Sequence, residues 1–315
     1  MTQDLTKKSA SGPGRLPVGS GTSGFTAFGL KAEAEPLSPG LHVVATPIGN
    51  LADISLRALA TLAAADAVIA EDTRVTKKLL AHYGIATPLV AYHEHNAAMM
   101  RPRLLARLAT GAALALVSDA GTPLVSDPGY KLVAAALADN IPLTSVPGAS
   151  AVLAALVVAG LPTDRFFFEG FLPSKTVARR QRIAELAAIP GTLVFFESPH
   201  RVAEALVDLH AVLGQRDAAM ARELTKHFET VRRGSLADLA ATFAEEPPPK
   251  GEIVLLVGPP SADAAVPDAA DLDMKIGKLL ETLSVKEAAT VIAAETGQPR
   301  RKIYARAIEL SARAR

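Results

Sequence analysis

Residues 113–148 read ALALVSDAGTPLVSDPGYKLVAAALADNIPLTSVPG. A short apolar run ends at Val117 and opens into a loop that carries Asp119, Gly121, Pro123, Asp127, Pro128 and Gly129. A helix is expected around Gly129–Asp139, and IPLTSVPG returns as another short strand. Strand, loop, helix and strand in that order predict a crossover unit of a parallel sheet. Glycine lets a ligand approach the backbone and proline fixes the course of a loop. The loop is therefore a candidate binding element, with two tight turns as the plainer alternative. It lacks the Lys-Ser/Thr pair of a phosphate-cradling P-loop and the GxGxxG spacing of a dinucleotide site.

The same rhythm runs upstream. LHVVATPIGN (41–50) is an apolar run entering a Pro/Gly turn. Leu56, Leu59 and Leu62 have helical spacing, with Asp53 as the expected N-cap. DAVIAEDT (66–73) reads as a second strand ending at Glu71 and Asp72. Helices are expected around Val75–Tyr83 and Met99–Thr110, on either side of a strand at PLVAYHEHN (88–96). Polar and glycine-rich residues recur just past each apolar run, and open α/β sheets bind ligands outside those carboxyl ends.

From Leu161 the rhythm is less regular. DRFFFEGFLPS, an Arg-rich helix at Ala178–Ala187, the strand GTLVFFES, a helix at Arg201–Leu213, AAMARELTK and the strand GEIVLLVG follow one another. The expected organisation is a flexible tail over 1–38, an α/β domain over 39–160, a second over 161–258, a linker over 259–273 and a basic helical segment over 274–315. The tail assignment rests on Gly, Ser and Pro punctuation without periodicity. The last stretch, RRKIYARAIELSARAR, holds six basic residues against Glu309.

Composition narrows the function classes. The chain has 315 residues, with 33 Lys plus Arg against 32 Asp plus Glu, a formal charge of +1. That excludes a uniformly basic surface but not a local basic patch. Cysteine is absent, which excludes disulfides, thiolate metal sites, iron–sulfur clusters and Cys nucleophiles. It fits a reducing compartment. Trp is absent and aromatic residues make up 4%, which argues against many base-stacking platforms. Lys7 and Lys8 lead into small polar residues, and no long uncharged apolar run occurs, so neither a signal peptide nor a membrane span is expected. A cytoplasmic protein is the expectation.

Four further segments end predicted strands with reactive side chains. AEDTR (70–74) carries two acids and Arg74. AYHEHN (91–96) carries His93, Glu94, His95 and Asn96, and in a strand the two histidines would share one face with Glu94 on the other. No HExxH spacing accompanies them, so no metal is expected; a polar substrate site or a satisfied hydrogen-bond cluster is. FFESPHR (195–201) carries Glu197, Ser198, His200 and Arg201, without the GxSxG elbow of a serine hydrolase. ARELTK (221–226) carries Arg222, Glu223 and Lys226, for which surface ion pairing is the plain alternative. Ser150 in VPGASA either caps the following helix or contacts a ligand.

Taken together, VATPIGNLADIS, EDTR, YHEHN, SDAGTPLVSDPG, VPGASA, FFESPHR and ARELTK resemble the tetrapyrrole methylase superfamily, and specifically its branch that methylates small-subunit ribosomal RNA. The resemblance spans roughly residues 41–258, and the helical stretch at 274–315 is similar to that branch's C-terminal segment. It implies two α/β domains with S-adenosylmethionine bent into the cleft between them. It implies methylation of the 2′-oxygen of a cytidine ribose in the decoding region of 16S rRNA, in the 30S subunit, by a homodimer. The family's cofactor pattern falls on Pro47, Gly121, Thr122, Pro123, Val125, Ser150 and Ala151, and in the second domain near Phe196, Ala221 and Glu252.

An in-line methyl transfer needs alignment first and a base second. His93, Glu94 and Glu197 are the candidate bases. Arg74, Asn96, His200, Arg201 and Lys226 suit phosphate or sugar contacts, and Arg300, Arg301 and Lys302 a grip on RNA phosphate. The alternatives are a methylase of a corrin-type small molecule and a non-catalytic RNA-binding protein.

Overall fold

A computed structural model describes residues 23–126, 129–260, 269–296 and 300–313. Asp127 and Pro128 of the Gly/Pro loop, most of the expected linker and the first 22 residues lie outside the described residues. The chain divides into two compact units. One holds the described part of Met1–Ala155 together with Arg222–Thr230; the other holds Leu156–Ala221 and the described part of Val231–Arg315. The expected boundary near 160 thus falls earlier, inside a helix, and a short piece of ARELTKHFE groups with the first unit.

The described chain opens with a hairpin, β1 (Gly24–Ala27) and β2 (Leu30–Glu33), where a flexible tail was expected. Phe28 (φ 52) and Gly29 (φ 76) make its turn, the paired left-handed geometry that suits tight hairpins. Phe25 is buried among Leu59, Leu62 and Tyr83, and Thr26 N donates to Tyr83 O at 2.7 Å. One buried aromatic and one backbone bond tie the hairpin down.

The first unit continues with β3 (Gly40–Val44), α1 (Leu56–Ala64), β4 (Ala67–Ala70), α2 (Thr73–His82), β5 (Leu89–Ala91), α3 (Ala97–Ala109), β6 (Ala113–Leu116), α4 (Tyr130–Ala138), β7 (Leu143–Val146) and α5 (Ala151–Ala159), which the unit boundary crosses. The strands form a five-stranded sheet in the order β5-β4-β6-β3-β7, with parallel pairings throughout. Leu59, Leu62, Leu79 and Leu80 of α1 and α2 pack with Val44, Val68 and Ala115 on one face. Met100, Leu104 and Leu132 of α3 and α4 pack with Leu41, Ile69 and Leu114 on the other. Burying one such Leu contributes about 1.5–3 kcal/mol. The helices that follow the neighbouring strands β3 and β6 pack on opposite faces of the sheet, and the carboxyl end at such a switch point is the usual place for a ligand.

Local corrections have clear causes. Ser55, not Asp53, caps α1, accepting from Ala58 N at 3.0 Å, while Asp53 sits in a 3₁₀ turn. β5 stops at Ala91 because Asn96 folds back: its side chain accepts from His93 N at 2.9 Å and donates to Ala91 O at 3.0 Å. His93–Asn96 is therefore a turn, and the alternating strand faces expected there do not exist.

The second unit contains β8 (Phe166–Phe171), α6 (Thr176–Leu186), β9 (Thr192–Glu197), α7 (Val202–Leu213), β10 (Asp217–Arg222), β11 (Thr230–Ser235), α8 (Leu236–Glu245) and β12 (Ile253–Val257). Its sheet has the order β11-β10-β12-β9-β8 and is mixed: β8 runs parallel to β9, and β12 antiparallel to it. α6, α7 and α8 cover one face through Ile183, Leu206, Leu209, Leu239 and Phe243. α9 (Ala269–Leu280), α10 (Val285–Thr296) and α11 (Arg300–Arg313) close on a small core of Ile276, Ala289, Ile292, Ile303 and Ala307. α9 begins inside the stretch expected to be linker.

Candidate functional site

The carboxyl edge of the first sheet is stitched together by its own loops. Thr46 N donates to Gly121 O at 2.9 Å and Gly121 N to Thr46 O at 3.0 Å. The Thr122 hydroxyl donates to Ala149 O at 3.3 Å. The loops after β3, β6 and β7 thus form one floor, and its contacts leave no room for side chains. A Cβ on Gly121 would lie 3.2 Å from Ile48, and one on Gly148 3.0 Å from Ala45. Beyond Gly121 the chain passes through Leu124 (φ 75) and Ser126 (φ 62), non-glycine residues in the left-handed region, with exposed Val125 between them. Strain of this kind persists where surroundings over-determine it, often at ligand sites.

Pro47, Gly121, Thr122, Pro123, Val125, Ser150 and Ala151 all lie on these three loops or in the first turn of α5. Ser150 also caps α5, its hydroxyl accepting from Leu153 N at 3.4 Å. The floor offers mostly backbone amides and carbonyls. That donor set fits an uncharged adenine, a sulfonium and an amino-acid end without a charged cage.

Beside the floor, Glu71 and Asp72 leave β4 between the ends of β5 and β6. Tyr92 N donates to Ala70 O at 2.8 Å, Val117 N to Ile69 O at 2.9 Å, and Asp72 N to Asp119 Oδ1 at 3.0 Å. Burial, and then the nearby Asp119 carboxylate, push the Glu71 pKa up; His93 pulls it back in part. Asp72 is held at about 2 by the Arg74 guanidinium, 2.6 Å away. His93 Nδ1 is buried without a hydrogen-bond partner, and its ring stands 6.0 Å from that of His95. Glu94 is exposed. Asn96 is bonded within its turn and Arg74 pairs with Asp72 through Nε and Nη2 while its side chain stays largely exposed. Among the described residues, no cluster of three or more His, Asp or Glu side chains could hold a metal ion.

Within the second unit, Glu197 and Arg201 form a bracket. Glu197 is 3% exposed; its Oε1 accepts from Ser198 N at 2.7 Å, while Oε2 lies 3.4 Å from Arg201 and makes no hydrogen bond. Burial raises its pKa. Arg201 donates to Leu172 O at 2.6 Å and Pro173 O at 3.2 Å, tying the loop after β8 to that after β9. Arg201 thus ties two loops together, and Glu197 is bonded through one carboxylate oxygen and unbonded at the other. Beneath them Arg179 is fully buried and bonded to Asp208 at 2.7 Å, with Arg180 on the other carboxylate oxygen at 2.6 Å. His200 is exposed in its turn. Phe196 packs edgewise on Phe168 and Phe171. It faces Val254 across the sheet, beside Glu252, and Ala221 is buried in β10.

Arg300, Arg301 and Lys302 are exposed at the start of α11, with Ile303 and Ala307 turned into the core. Arg306 is consumed by Asp273 and Glu309. The sequence places Asp119 and Gly148 in candidate loops but not their contacts, with Asp72 N and Ala45, which appear only in the fold.

Comparison with known proteins places this geometry. Residues 40–240 match the model described as Tetrapyrrole (Corrin/Porphyrin) Methylases, and residues 266–311 the RsmI C-terminal HTH domain. The chain is 52% identical over 278 residues to a ribosomal RNA small subunit methyltransferase I of Mesorhizobium japonicum, covering 88% of this chain and 94% of that one. It is 52% identical over 273 residues to the protein of the same name from Xylella fastidiosa strain Temecula1, covering 85% and 98%. In fold it is similar to a cobalamin-biosynthetic cobalt precorrin-4 methyltransferase, with a TM-score of 0.54 and 19% identity over 69% of this chain and 94% of that one.

Proposed function

Because the chain belongs to the tetrapyrrole methylase family, and within it to the ribosomal RNA small subunit methyltransferase I proteins, we propose that it transfers a methyl group from S-adenosylmethionine to ribosomal RNA of the small subunit. The finer reading is 2′-O-methylation of a cytidine in the decoding region of 16S rRNA, carried out in the cytoplasm by a homodimer. The observation that carries the proposal is the three-loop floor, in which Thr46–Gly121 and Thr122–Ala149 bonds join the loops that carry the first unit's cofactor-pattern residues.

Pro47, Gly121, Thr122, Pro123, Val125, Ser150 and Ala151 would hold the methyl donor in the first unit; in the second the family's pattern falls on Phe196, Ala221 and Glu252. When bound, the donor supplies an already activated methyl group on a sulfonium. The protein's work is alignment of a ribose hydroxyl and acceptance of its proton. His93 and Glu71 take the proton in this reading. Glu71 is kept basic by burial and by Asp119, and such a base contributes about 10²–10⁴-fold. Glu94 is exposed, and Glu197 lies in the other unit with one oxygen bonded to Ser198 N, so His93 and Glu71 are preferred for that step. The exposed Arg300, Arg301 and Lys302 grip phosphate without reading sequence. That basic cluster favours a polyanion over a corrin as substrate.

The test uses 30S subunits and, separately, free 16S rRNA from cells lacking the protein. These are incubated with purified protein and labelled S-adenosylmethionine, and the methylated nucleotide is mapped by mass spectrometry. Label on one cytidine ribose is expected. Label on a base, or incorporation only into a tetrapyrrole precursor, would overturn the reading.

A further inference from the structure

We propose that Lys226 is a positioning residue of the methyl-donor site, its hydrocarbon stem acting as a latch on the loop after β3. The proposal rests on the reading above that this loop forms part of that site. The loop, residues 45–50, is clamped at three points, each where two chains approach too closely for a side chain. Gly148 meets Ala45, Gly121 meets Ile48, and Lys226 lies over Gly49. A Cβ on Gly49 would stand 2.5 Å from Lys226 Cγ, 3.1 Å from Cδ and 2.6 Å from Cε. Three consecutive methylenes therefore run along the Gly49 backbone, as long cationic side chains do when they cover an apolar surface. The ammonium turns back to Glu223 Oε1 at 2.8 Å. An RNA phosphate ligand would instead direct that charge outward.

The segment Arg222–Thr230 is built to keep the latch in place. Glu223 (φ 53) and Thr225 (φ 66) both occupy the left-handed region, which is an outlier for a β-branched residue. Thr225 Oγ1 is buried with no partner. The strained course is held by Thr225 N donating to Glu229 Oε2 at 2.6 Å, Lys226 N to Glu223 O at 3.0 Å, and Arg222 Nε to Thr230 Oγ1 at 3.1 Å. Strain and an unsatisfied hydroxyl persist together where the surroundings enforce them, and here the enforced result is the stem on Gly49. With the other two clamps made by the loops after β6 and β7, the latch completes the immobilisation of the first loop. A preorganised loop binds its ligand more tightly because less order is lost on binding.

The charge and the stem are separable by substitution. Lys226→Met keeps the methylenes and removes the ammonium; Lys226→Ala removes both. Calorimetric titration of full-length protein with S-adenosylmethionine is expected to give Lys226→Ala binding weakened about tenfold or more, and Lys226→Met within about twofold of wild type. Gly49→Ala, which forces the stem away, should resemble Lys226→Ala. Affinity for 16S rRNA, followed across salt concentrations, should keep the same salt slope in Lys226→Met. Equal binding of S-adenosylmethionine by Lys226→Ala and wild type would overturn the latch. So would a Lys226→Met protein as weak as Lys226→Ala, or a salt slope reduced by about one, the mark of a lost phosphate contact. If wild type binds no S-adenosylmethionine, the functional reading falls and the latch with it; if wild type binds and Lys226→Ala binds equally well, the latch alone falls.

Discussion

The carboxyl ends of β3, β6 and β7 and the carboxyl ends of β8 and β9 solve the same problem with different chemistry. The first set joins its loops by backbone hydrogen bonds and glycine contacts: Thr46 to Gly121, Gly148 to Ala45. The second joins its loops by buried charge: Arg201 reaches Leu172 O and Pro173 O above the Arg179–Asp208 pair. Backbone joints leave amides and carbonyls at the surface for a ligand. The ionic joint spends its charges mostly on one another and on loop carbonyls, and the two polar atoms it leaves unbonded, Glu197 Oε2 and Arg201 Nε, are buried. The difference teaches that a binding floor and a structural brace can occupy equivalent positions in two sheets and be told apart by what remains available.

The comparison breaks most sharply at Asp208. Asp208→Ala would leave the fully buried Arg179 without its main partner. Stability should fall by about 3–5 kcal/mol, measured by denaturant unfolding. A loss below about 1 kcal/mol would mean that the brace is not ionic. Next comes Gly121→Ala. Placing a Cβ at φ +77 against Ile48 should cost about 1–2 kcal/mol of stability and also weaken S-adenosylmethionine binding. Gly111→Ala is the matched control, with φ +90 and open space around the new Cβ. It should lose similar stability and leave cofactor binding untouched. If both variants bind equally well, the floor holds no ligand.

The smallest effect on stability is expected from Glu71→Gln. The folded-state pKa of Glu71 is raised by burial and by Asp119. Ionising it therefore costs stability as pH climbs from the ordinary carboxylate range through the raised value, and the full cost remains above it. The glutamine variant should be slightly more stable than wild type near neutrality, with the difference vanishing in acid. Methyl transfer at neutral pH should drop by up to about 10²-fold if the side chain helps to take the proton. Unchanged turnover would reduce Glu71 to a strained bystander.

Much of the first unit was legible because each of its elements is a local pattern. Apolar runs such as ALAL and AVIA, followed by Gly/Pro loops, predict both the parallel sheet and where its loops gather. The limits were set by side-chain contacts that hydrophobic patterning does not carry. β5 ends early because Asn96 bonds across its own turn. The hairpin at 24–33 has no apolar run to announce it; it forms because Phe25 finds the α1 and α2 core. Lys226 reads as an exposed cation until Gly49, far away in sequence, is seen beneath its stem. Glu197 and Arg201 read as reactive until their burial and their partners appear. In each case the missing information was a specific partner, near or far in sequence, which changes what a side chain has left to offer.

The most direct measurement is a crystal structure of the protein with S-adenosylhomocysteine bound. The account predicts that the ligand contacts the backbone of Gly121–Pro123 and of Ser150–Ala151 together. A ligand seated elsewhere, with those two segments touching only protein or solvent, would contradict it.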